Sequence, residues 1–348
     1  MKHIFTHMAF LCLFGTVLTT QLRAQQDPHF TQYMFNKLFM NPGYAGMKHA
    51  ICFTGLMREQ WAGFDGAPRS GTFSGDMYLE DLHGGVGLNL MYDQLGFERN
   101  LAFRGNYSFH IEQVLGGTIG IGIEGGATTK TVGPTGSQSW VATTNWTTDP
   151  TVPPQMKSQK LDFGAGLWFE RDDMWFGLST THLEGGNYDG GSAYVGNILH
   201  PMAYQVAHHY FITGGYNIPL RDWKISPSFI VKSDAVITSF ELNCLATYND
   251  KVWFGVTYRH KDAVCPMVGF NWVFGKDGTG GNGRESYDGR LGAGGGKNTT
   301  QMLRVGFAYD YTTSQLTHYN NGTFELFVNY CIPWEKRFGG HYDVRLFD

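Results

Sequence analysis

The chain has 348 residues, and with 26 Lys and Arg against 30 Asp and Glu its formal net charge is −4. Only 16% of its residues are charged, against about 25% in an average soluble domain, and this weakly acidic balance disfavours nucleic-acid binding, which needs a basic face. The 42% hydrophobic and 15% aromatic contents exclude a disordered polymer. Together with the 47 glycines, they favour a folded chain rich in β structure.

Residues 1–24 have the layout of a secretory signal peptide. A short positive region at Lys2 precedes an apolar run over residues 8–18, and Ala24 stands before the predicted cleavage site. The apolar run is too short to cross a bilayer as a helix. We therefore expect the chain to be exported across the inner membrane.

Residues 25–50 are predicted to form a separate N-terminal segment, which is periplasmic or acts as a plug. Phe30, Tyr33 and Leu38 recur at helical spacing, and Asn-Pro-Gly at 41–43 is typical of a helix stop and a turn. The pattern predicts a short helix in or under the mouth of the structure that follows.

Beyond this segment, apolar residues recur at every second position. Leu101, Phe103 and Phe109 share one face of an extended stretch, and Arg104 and Ser108 share the other. A soluble sandwich turns its apolar face inward, whereas an outer-membrane barrel turns it outward against lipid. Glycine is frequent on the polar faces and suits a crowded lumen better than a solvated strand, so we favour the barrel.

Fourteen such stretches predict an all-β fold, a transmembrane outer-membrane β-barrel of about 14 antiparallel strands over residues 51–334. The predicted strands are 51–59, 69–80, 85–93, 98–110, 115–128, 160–170, 174–181, 206–218, 224–232, 237–248, 251–260, 264–274, 301–311 and 322–332. An even strand number places both termini in the periplasm, and residues 335–348 form a C-terminal tail.

The loop lengths agree with this orientation, with one exception. Turns after the even-numbered strands are short, as periplasmic turns are, and the long loops 129–159 and 182–205 fall on the outer side. The loop 275–300 would be a long periplasmic loop. Either the register slips there, or this loop has a periplasmic role.

The polar faces and the cysteines leave alternatives open. Lumenal charges could line a channel or, as we expect, pair with one another and fill the lumen; they are Arg104, Glu112, Asp162, Arg259, Arg304 and Asp310. Cys52 and Cys331 fall near the start of the first strand and the end of the last, which must pair to close the barrel. They form either a disulfide, if the register aligns them, or free packed thiols, which we take as the default.

Other chemical motifs predict no catalytic, cofactor or metal site. Residues 278–283 fit G-x-G-x-x-G, but no helix can follow them to meet a pyrophosphate, so we expect a flexible loop. Asp172 and Asp173 are typical of a solvated turn. His208 and His209 are adjacent and would face opposite ways on a strand, which argues against a shared metal site.

Several stretches are shared with a known family. They are Gln26-Asp27-Pro28, Thr31-Gln32-Tyr33-Met34, Asn41-Pro42-Gly43-Tyr44-Ala45-Gly46, Arg58-Glu59-Gln60-Trp61-Ala62-Gly63, Gly66-Ala67-Pro68 leading to Ser74, Phe176-Gly177-Leu178-Ser179 with His182-Leu183, and Tyr309-Asp310-Tyr311-Thr312. This set closely resembles the PorP/SprF family of type IX secretion proteins of Bacteroidota. Thr31 replaces a Ser of the family pattern, Gly43 replaces an Ala, and the late Gly-Ser-His-Glu is here Gly-Thr-Phe-Glu at 322–325.

The resemblance implies a non-enzymatic outer-membrane barrel that serves secretion or gliding motility and needs no cofactor. Its implied partners are PorK-, PorN- or PorE-like periplasmic components or a secreted adhesin. The barrel would also contact outer-membrane lipid, and no nucleic-acid partner is implied. A diffusion channel is the alternative function. An outer-membrane lipid hydrolase would need a Ser–His pair at the outer rim, and the sequence assembles none.

A docking protein for periplasmic machinery needs a contact surface on the periplasmic side. Most turns there are too short for an interface of about 800 Å² per partner. The segment 25–50, which offers aromatic anchors, and the loop 275–300 are the exceptions; the aromatic residues could instead fill the lumen. The candidate partner-binding residues are Phe30, Tyr33, Phe39, Tyr44, Arg284 and Tyr287.

Overall fold

The computed structural model describes residues 27–63, 66–133, 155–195, 198–274, 301–314, 317 and 320–333. Their strands are β1 (Ala50–Glu59), β2 (Arg69–Leu79), β3 (Gly84–Leu95), β4 (Glu98–Val114), β5 (Gly117–Val132), β6 (Met156–Glu170), β7 (Met174–Thr181), β8 (Gly186–Val195), β9 (Ile198–Val206), β10 (His209–Tyr216), β11 (Ile218–Leu220), β12 (Trp223–Ser233), β13 (Thr238–Tyr248), β14 (Val252–Arg259), β15 (Ala263–Phe274), β16 (Gln301–Thr312) and β17 (Thr323–Pro333). Their helical turns are α1 (Lys37–Met40) and the 3₁₀ turns Tyr33–Phe35, Pro42–Tyr44 and Glu80–Leu82. No helix within these ranges is long and apolar enough to cross a membrane.

Fourteen of these strands close into one antiparallel barrel. Strands β1 to β7 pair in chain order, β7 pairs with β10, β10 pairs with β12, and pairing then continues in order to β17. Strand β17 pairs back onto β1 along all ten residues of β1, so the barrel has no open edge. The predicted fourteen-stranded antiparallel barrel is confirmed.

The structure adds a hairpin that the sequence pattern did not predict. Strands β8 and β9 form a separate two-stranded sheet that occupies most of the predicted loop 182–205 and ends at Val206, the first residue of the next predicted strand. The hairpin contributes no strand to the barrel. Its first strand is rich in glycine, which has low strand propensity, so the apolar alternation was weak there.

The barrel turns its apolar face outward and its polar face inward. On β16, Phe307 is 45% exposed on the outer surface, whereas the next residue, Ala308, is fully buried. On β4, Phe103 and Arg104 show the same alternation. An outward apolar belt on a closed barrel is the arrangement that faces lipid, and a soluble sandwich would show the opposite one.

Four of the six predicted lumenal charges are buried in the barrel, and two differ. Glu112 is exposed, because β4 shifts its register after Ile111 and the alternation of faces breaks there. Arg304 is only half-buried. The four buried charges are Arg104, Asp162, Arg259 and Asp310.

The two ends of the barrel differ in their connections. At the first, here named the turn end, β1 begins, β17 finishes, and connections such as 80–83 and 171–173 are short. The opposite end, named the loop end, carries the connection 133–155 and the β8–β9 hairpin. The connection 275–300, which links β15 to β16 at the turn end, and the tail 335–348 lie outside the described residues.

A disulfide closes the barrel covalently at its turn end. Cys52 and Cys331 stand directly opposite each other in the ladder between β1 and β17, and their sulfurs are bonded. Of the two alternatives left open by the sequence, the structure therefore has the disulfide, and the free thiols that we took as the default are wrong. The bond joins the first and last strands over a sequence separation of 279 residues.

Candidate functional site in the barrel lumen

Residues 27–49, here named the plug segment, run through the lumen from the loop end to the turn end. At the loop end, Asp27 lies beside His182, which directly follows β7. At the turn end, the backbone N–H of Gly46 donates to Asp76 Oδ2 at 2.8 Å, and the segment then continues into β1. The short helical turns of this segment agree with the helix predicted in the barrel mouth, but they extend along the whole lumen.

Five buried charged residues from five wall strands surround the plug segment near the loop end. This set, named the Arg58 cluster, consists of Arg58, Glu241, Arg259, Asp310 and Glu325. Glu325 accepts hydrogen bonds from the backbone N–H groups of Thr31 and Gln32, both at 2.8 Å. Thr31 Oγ1 also donates to Asp310 at 2.8 Å. The wall therefore recognises the plug backbone directly.

Arginines balance the carboxylates within the Arg58 cluster. Arg58 Nη2 donates to Asp310 Oδ2 at 2.7 Å, and its Nη1 lies 3.2 Å from Glu325 Oε2. Arg259 Nη1 lies 3.2 Å from Asp310 Oδ2, and its Nε lies 3.4 Å from Glu241 Oε1. Removing one partner of a buried ion pair typically costs about 3–5 kcal/mol, because the other charge is left uncompensated. The cluster thus fixes the plug segment to the wall.

The middle of the plug segment places one cation among aromatic rings. Lys37 Nζ lies 4.5 Å from the ring centroid of Trp175, 5.2 Å from that of Trp168 and 5.4 Å from that of Tyr44, within the range of cation–π attraction. Glu170 Oε2 lies 3.6 Å from the same nitrogen.

Glycines of the wall make room for the plug backbone near the turn end. A Cβ atom on Gly122 would lie 2.2 Å from the backbone nitrogen of Gly43, and one on Gly166 would lie 2.1 Å from Asn41 Oδ1. Gly46, with φ of 76°, takes the left-handed conformation that glycine tolerates. The lumenal glycines seen in the sequence therefore permit contact between wall and plug backbones.

A second group of titratable residues surrounds Asp27 at the loop end. His182 Nε2 lies 3.2 Å from Asp27 Oδ1, and His182 Nδ1 lies 3.0 Å from Asp162 Oδ2. Arg104 Nε donates to Asp162 Oδ2 at 2.9 Å, and His209 Nδ1 lies 4.0 Å from Asp27 Oδ2. Burial lowers the pKa of His182, but Asp27 and Asp162 outweigh it and raise that pKa to about 9.

The four aromatic residues predicted to bind a partner lie inside the lumen. They are the buried residues Phe30, Tyr33, Phe39 and Tyr44. Phe30 and Phe39 pack edge to face, with ring centroids 5.8 Å apart. Partner contact through these side chains stays a prediction that requires the plug segment to leave the lumen. The other two predicted residues, Arg284 and Tyr287, lie outside the described residues.

A family model decides which proteins this barrel is related to. The model described as "Type IX secretion system membrane protein PorP/SprF" matches residues 22–274 and 279–330. The chain belongs to the PorP/SprF family. The match covers the plug segment and nearly the whole barrel, so it confirms the resemblance seen in the sequence. The family and the barrel are those of a secretion component and not of a known enzyme.

Several solved structures have a similar course of the chain. They include the "CymD monoaromatic hydrocarbon channel" (8% identity, 86% of this chain and 92% of that chain, TM-score 0.48), the P. putida toluene transporter TodX (9%, 86% and 94%, 0.44) and a Pseudomonas aeruginosa FadL homologue (8%, 82% and 89%, 0.45). Among curated proteins, none matches this PorP/SprF chain. The barrel fold of this chain is established by its own strand pairing.

Motifs of the PorP/SprF pattern that lie far apart in the sequence meet around the plug segment. The opening motif contacts Arg58, Asp310 and Glu325, each from a different later motif. These residues belong to separate stretches of the sequence, and their pattern did not predict that they form one cluster. Glu241 was not predicted at all, although an acidic residue between two apolar neighbours of a predicted strand marks an inward position.

Proposed function

We propose that this PorP/SprF chain is a non-enzymatic outer-membrane component of the type IX secretion machinery that docks periplasmic components of that machinery. The observation that supports this proposal most directly is the plugged lumen. The plug segment extends from one end of the barrel to the other and is held by buried ion pairs. Such a barrel is better suited to anchoring partners in the membrane than to passing solutes.

The turn end is the end that we assign to the periplasm. Bacterial single-chain barrels with an even number of strands have short periplasmic turns and longer outer loops. The long connection 275–300 belongs to this end and offers Arg284 and Tyr287 as contact groups. We propose that it contacts PorK-, PorN- or PorE-like components. The aromatic residues of the plug segment would add contacts only if that segment leaves the lumen.

One deletion at each end of the barrel tests which end docks the machinery. The first removes residues 278–296 at the turn end, and the control removes residues 137–147 at the loop end. We expect the first deletion to abolish co-purification of periplasmic machinery components and the control to leave it intact, with an undamaged barrel in both cases. Retention of these components by the first deletion would refute periplasmic docking through this connection. Loss of a secreted adhesin in the control alone would favour the adhesin-supporting role.

Conductance separates the docking proposal from a diffusion channel. The purified wild-type barrel should show no stable conductance in planar lipid bilayers, because the plug segment occupies the lumen. A variant that lacks residues 27–40 should conduct if the empty lumen persists. Porin-like conductance of the wild type would overturn the plugged-anchor proposal and establish the channel.

A further inference from the structure

Three potential metal ligands converge at the loop end of the lumen. Asp27, His182 and His209 each offer one carboxylate oxygen or imidazole nitrogen, and these atoms all lie within 4.8 Å of one another. Asp27 belongs to the plug segment, whereas the two histidines belong to the wall, directly after β7 and at the start of β10. The docking function proposed above does not use this group.

His209 is the residue of this group that is buried without the hydrogen bonds that a buried histidine normally makes among the described residues. It is 1% exposed, and neither of its ring nitrogens has a hydrogen-bond partner among the described residues. A buried polar group without a partner is costly. Its Nδ1 faces Asp27 Oδ2 at 4.0 Å, so an ion between these atoms would satisfy the imidazole.

The surroundings of His182 have the arrangement that supports a metal ligand. Its Nε2 faces Asp27, while its Nδ1 lies 3.0 Å from Asp162 Oδ2. Asp162 is itself held by Arg104 Nε at 2.9 Å and by Thr128 Oγ1 at 3.4 Å. Metal-bound histidines almost always place their second ring nitrogen against a carboxylate, carbonyl or water, which fixes the orientation of the ring.

The local charge also favours a divalent cation. Asp27, Asp162 and Glu124 supply three carboxylates, against the single guanidinium of Arg104 that contacts Asp162 and Glu124. Both Glu124 carboxylate oxygens lack a hydrogen-bond partner among the described residues. With neutral imidazoles, as metal binding requires, these four side chains leave two excess negative charges, which one divalent ion would balance.

We propose that Asp27, His182 and His209 bind a divalent transition-metal ion of the zinc type, which clasps the plug segment to the barrel wall. Zinc binds imidazole and carboxylate at about 2.0–2.2 Å, so tetrahedral ligand atoms stand roughly 3.4 Å apart. His182 Nε2 lies 3.2 Å from Asp27 Oδ1 and His209 Nδ1 lies 4.0 Å from Asp27 Oδ2, both close to this value. With one ligand atom taken from each residue, all three atoms lie within 4.8 Å of one another. The ion would replace the hydrogen bond between His182 and Asp27, and water would complete the coordination.

Metal binding is measured on the full-length protein in detergent, without a polyhistidine tag and after chelator treatment. Zn²⁺ is titrated against a chromophoric chelator, and Co²⁺ absorption reports the coordination. We expect one Zn²⁺ per chain, and an affinity at least about 100-fold lower in His209→Ala and in Asp27→Asn. The matched control is His260→Ala, an exposed histidine at the same end of the barrel, which should bind as wild type does.

The two variants keep the test decisive, because Asp27 lies on the plug segment and His209 on the wall. Heat-modifiable gel mobility identifies a variant with a damaged barrel, and the other variant then decides. Absence of stoichiometric Zn²⁺ binding by the wild type, or wild-type affinity in both variants, would overturn the proposal. The result is independent of partner docking, so failure of one proposal leaves the other standing.

Discussion

Gly122→Ala tests whether the contact between the wall and the plug backbone holds the plug segment in the lumen. Gly122 lies on the inward face of β5, opposite the plug turn at 42–44. The matched control is Gly105→Ala on the neighbouring strand β4. Its new methyl group would point outward and lie 3.8 Å from its nearest neighbour, the carbonyl oxygen of Gly125, which is an ordinary contact.

The size of the effect follows from the distances at Gly122. The added Cβ would lie 2.2 Å from Gly43 N and 2.3 Å from Pro42 C, whereas ordinary contacts begin at 3.4 Å. The plug backbone must therefore withdraw by about 1 Å, and overpacking of this kind costs about 1–3 kcal/mol. The same shift would break the 2.9 Å hydrogen bond from Ser108 Oγ to Gly43 O, at a further cost of about 1 kcal/mol.

Trypsin cleavage at Lys37 and Lys48 reports release of the plug segment. When opening is fast relative to cleavage, the cleavage rate follows the open population. A loss of about 2–4 kcal/mol raises that population roughly 30- to 700-fold. Gly122→Ala should be cleaved faster by a factor in this range, and Gly105→Ala should behave as wild type. Equal resistance of Gly122→Ala and wild type would refute the close contact on which this argument depends.

Three further predictions concern the Arg58 cluster, the lipid face and the disulfide. Glu325→Gln removes one of the two carboxylates that pair with Arg58 and turns an amide NH₂ toward the plug backbone, so plug release should become easier by about 1–3 kcal/mol in the trypsin assay; the exposed control Glu59→Gln should have no effect, and an equal response of both would contradict the buried pairing. Phe307→Arg should destabilise the barrel in bilayers by about 2–4 kcal/mol in urea titrations, whereas Phe307→Leu should cost less than about 1.5 kcal/mol; tolerance of the arginine would reverse the assignment of faces. After heat denaturation, the unreduced wild type should migrate faster on gels than the reduced protein, and Cys331→Ser should abolish the difference; identical wild-type mobilities would mean that the bond is absent.

Several properties of this protein could be predicted because they depend on local sequence alone. Alternation along a strand decides which side chains share a face, so the pattern at Leu101, Phe103 and Arg104 was enough to predict an outward apolar surface. Strand number followed from the same repeat. Strand β8 was not predicted, because its glycine-rich stretch has too little apolar alternation to indicate a strand.

The cluster around the plug segment could be predicted only in part. Arg58 and Asp310 were singled out in the sequence, one within a motif and the other also as a lumenal charge, but nothing local shows that Glu325 accepts hydrogen bonds from Thr31. Such contacts link residues nearly 300 positions apart, since the Thr31–Glu325 bond spans 294 residues. They depend on barrel closure and on the depth of the plug segment, neither of which a local pattern encodes.

By itself, the sequence determined the barrel class, the strand number, the orientation of the faces and the family, because each depends on local periodicity or on contiguous motifs. Only the tertiary structure decided that Cys52 and Cys331 are paired, because a one-residue change of register would separate their sulfurs. It also decided that the plug segment runs through the whole lumen and brings Asp27 to His182 and His209. Those contacts exist only when fourteen strands have closed around the segment, so no single stretch of sequence could reveal them.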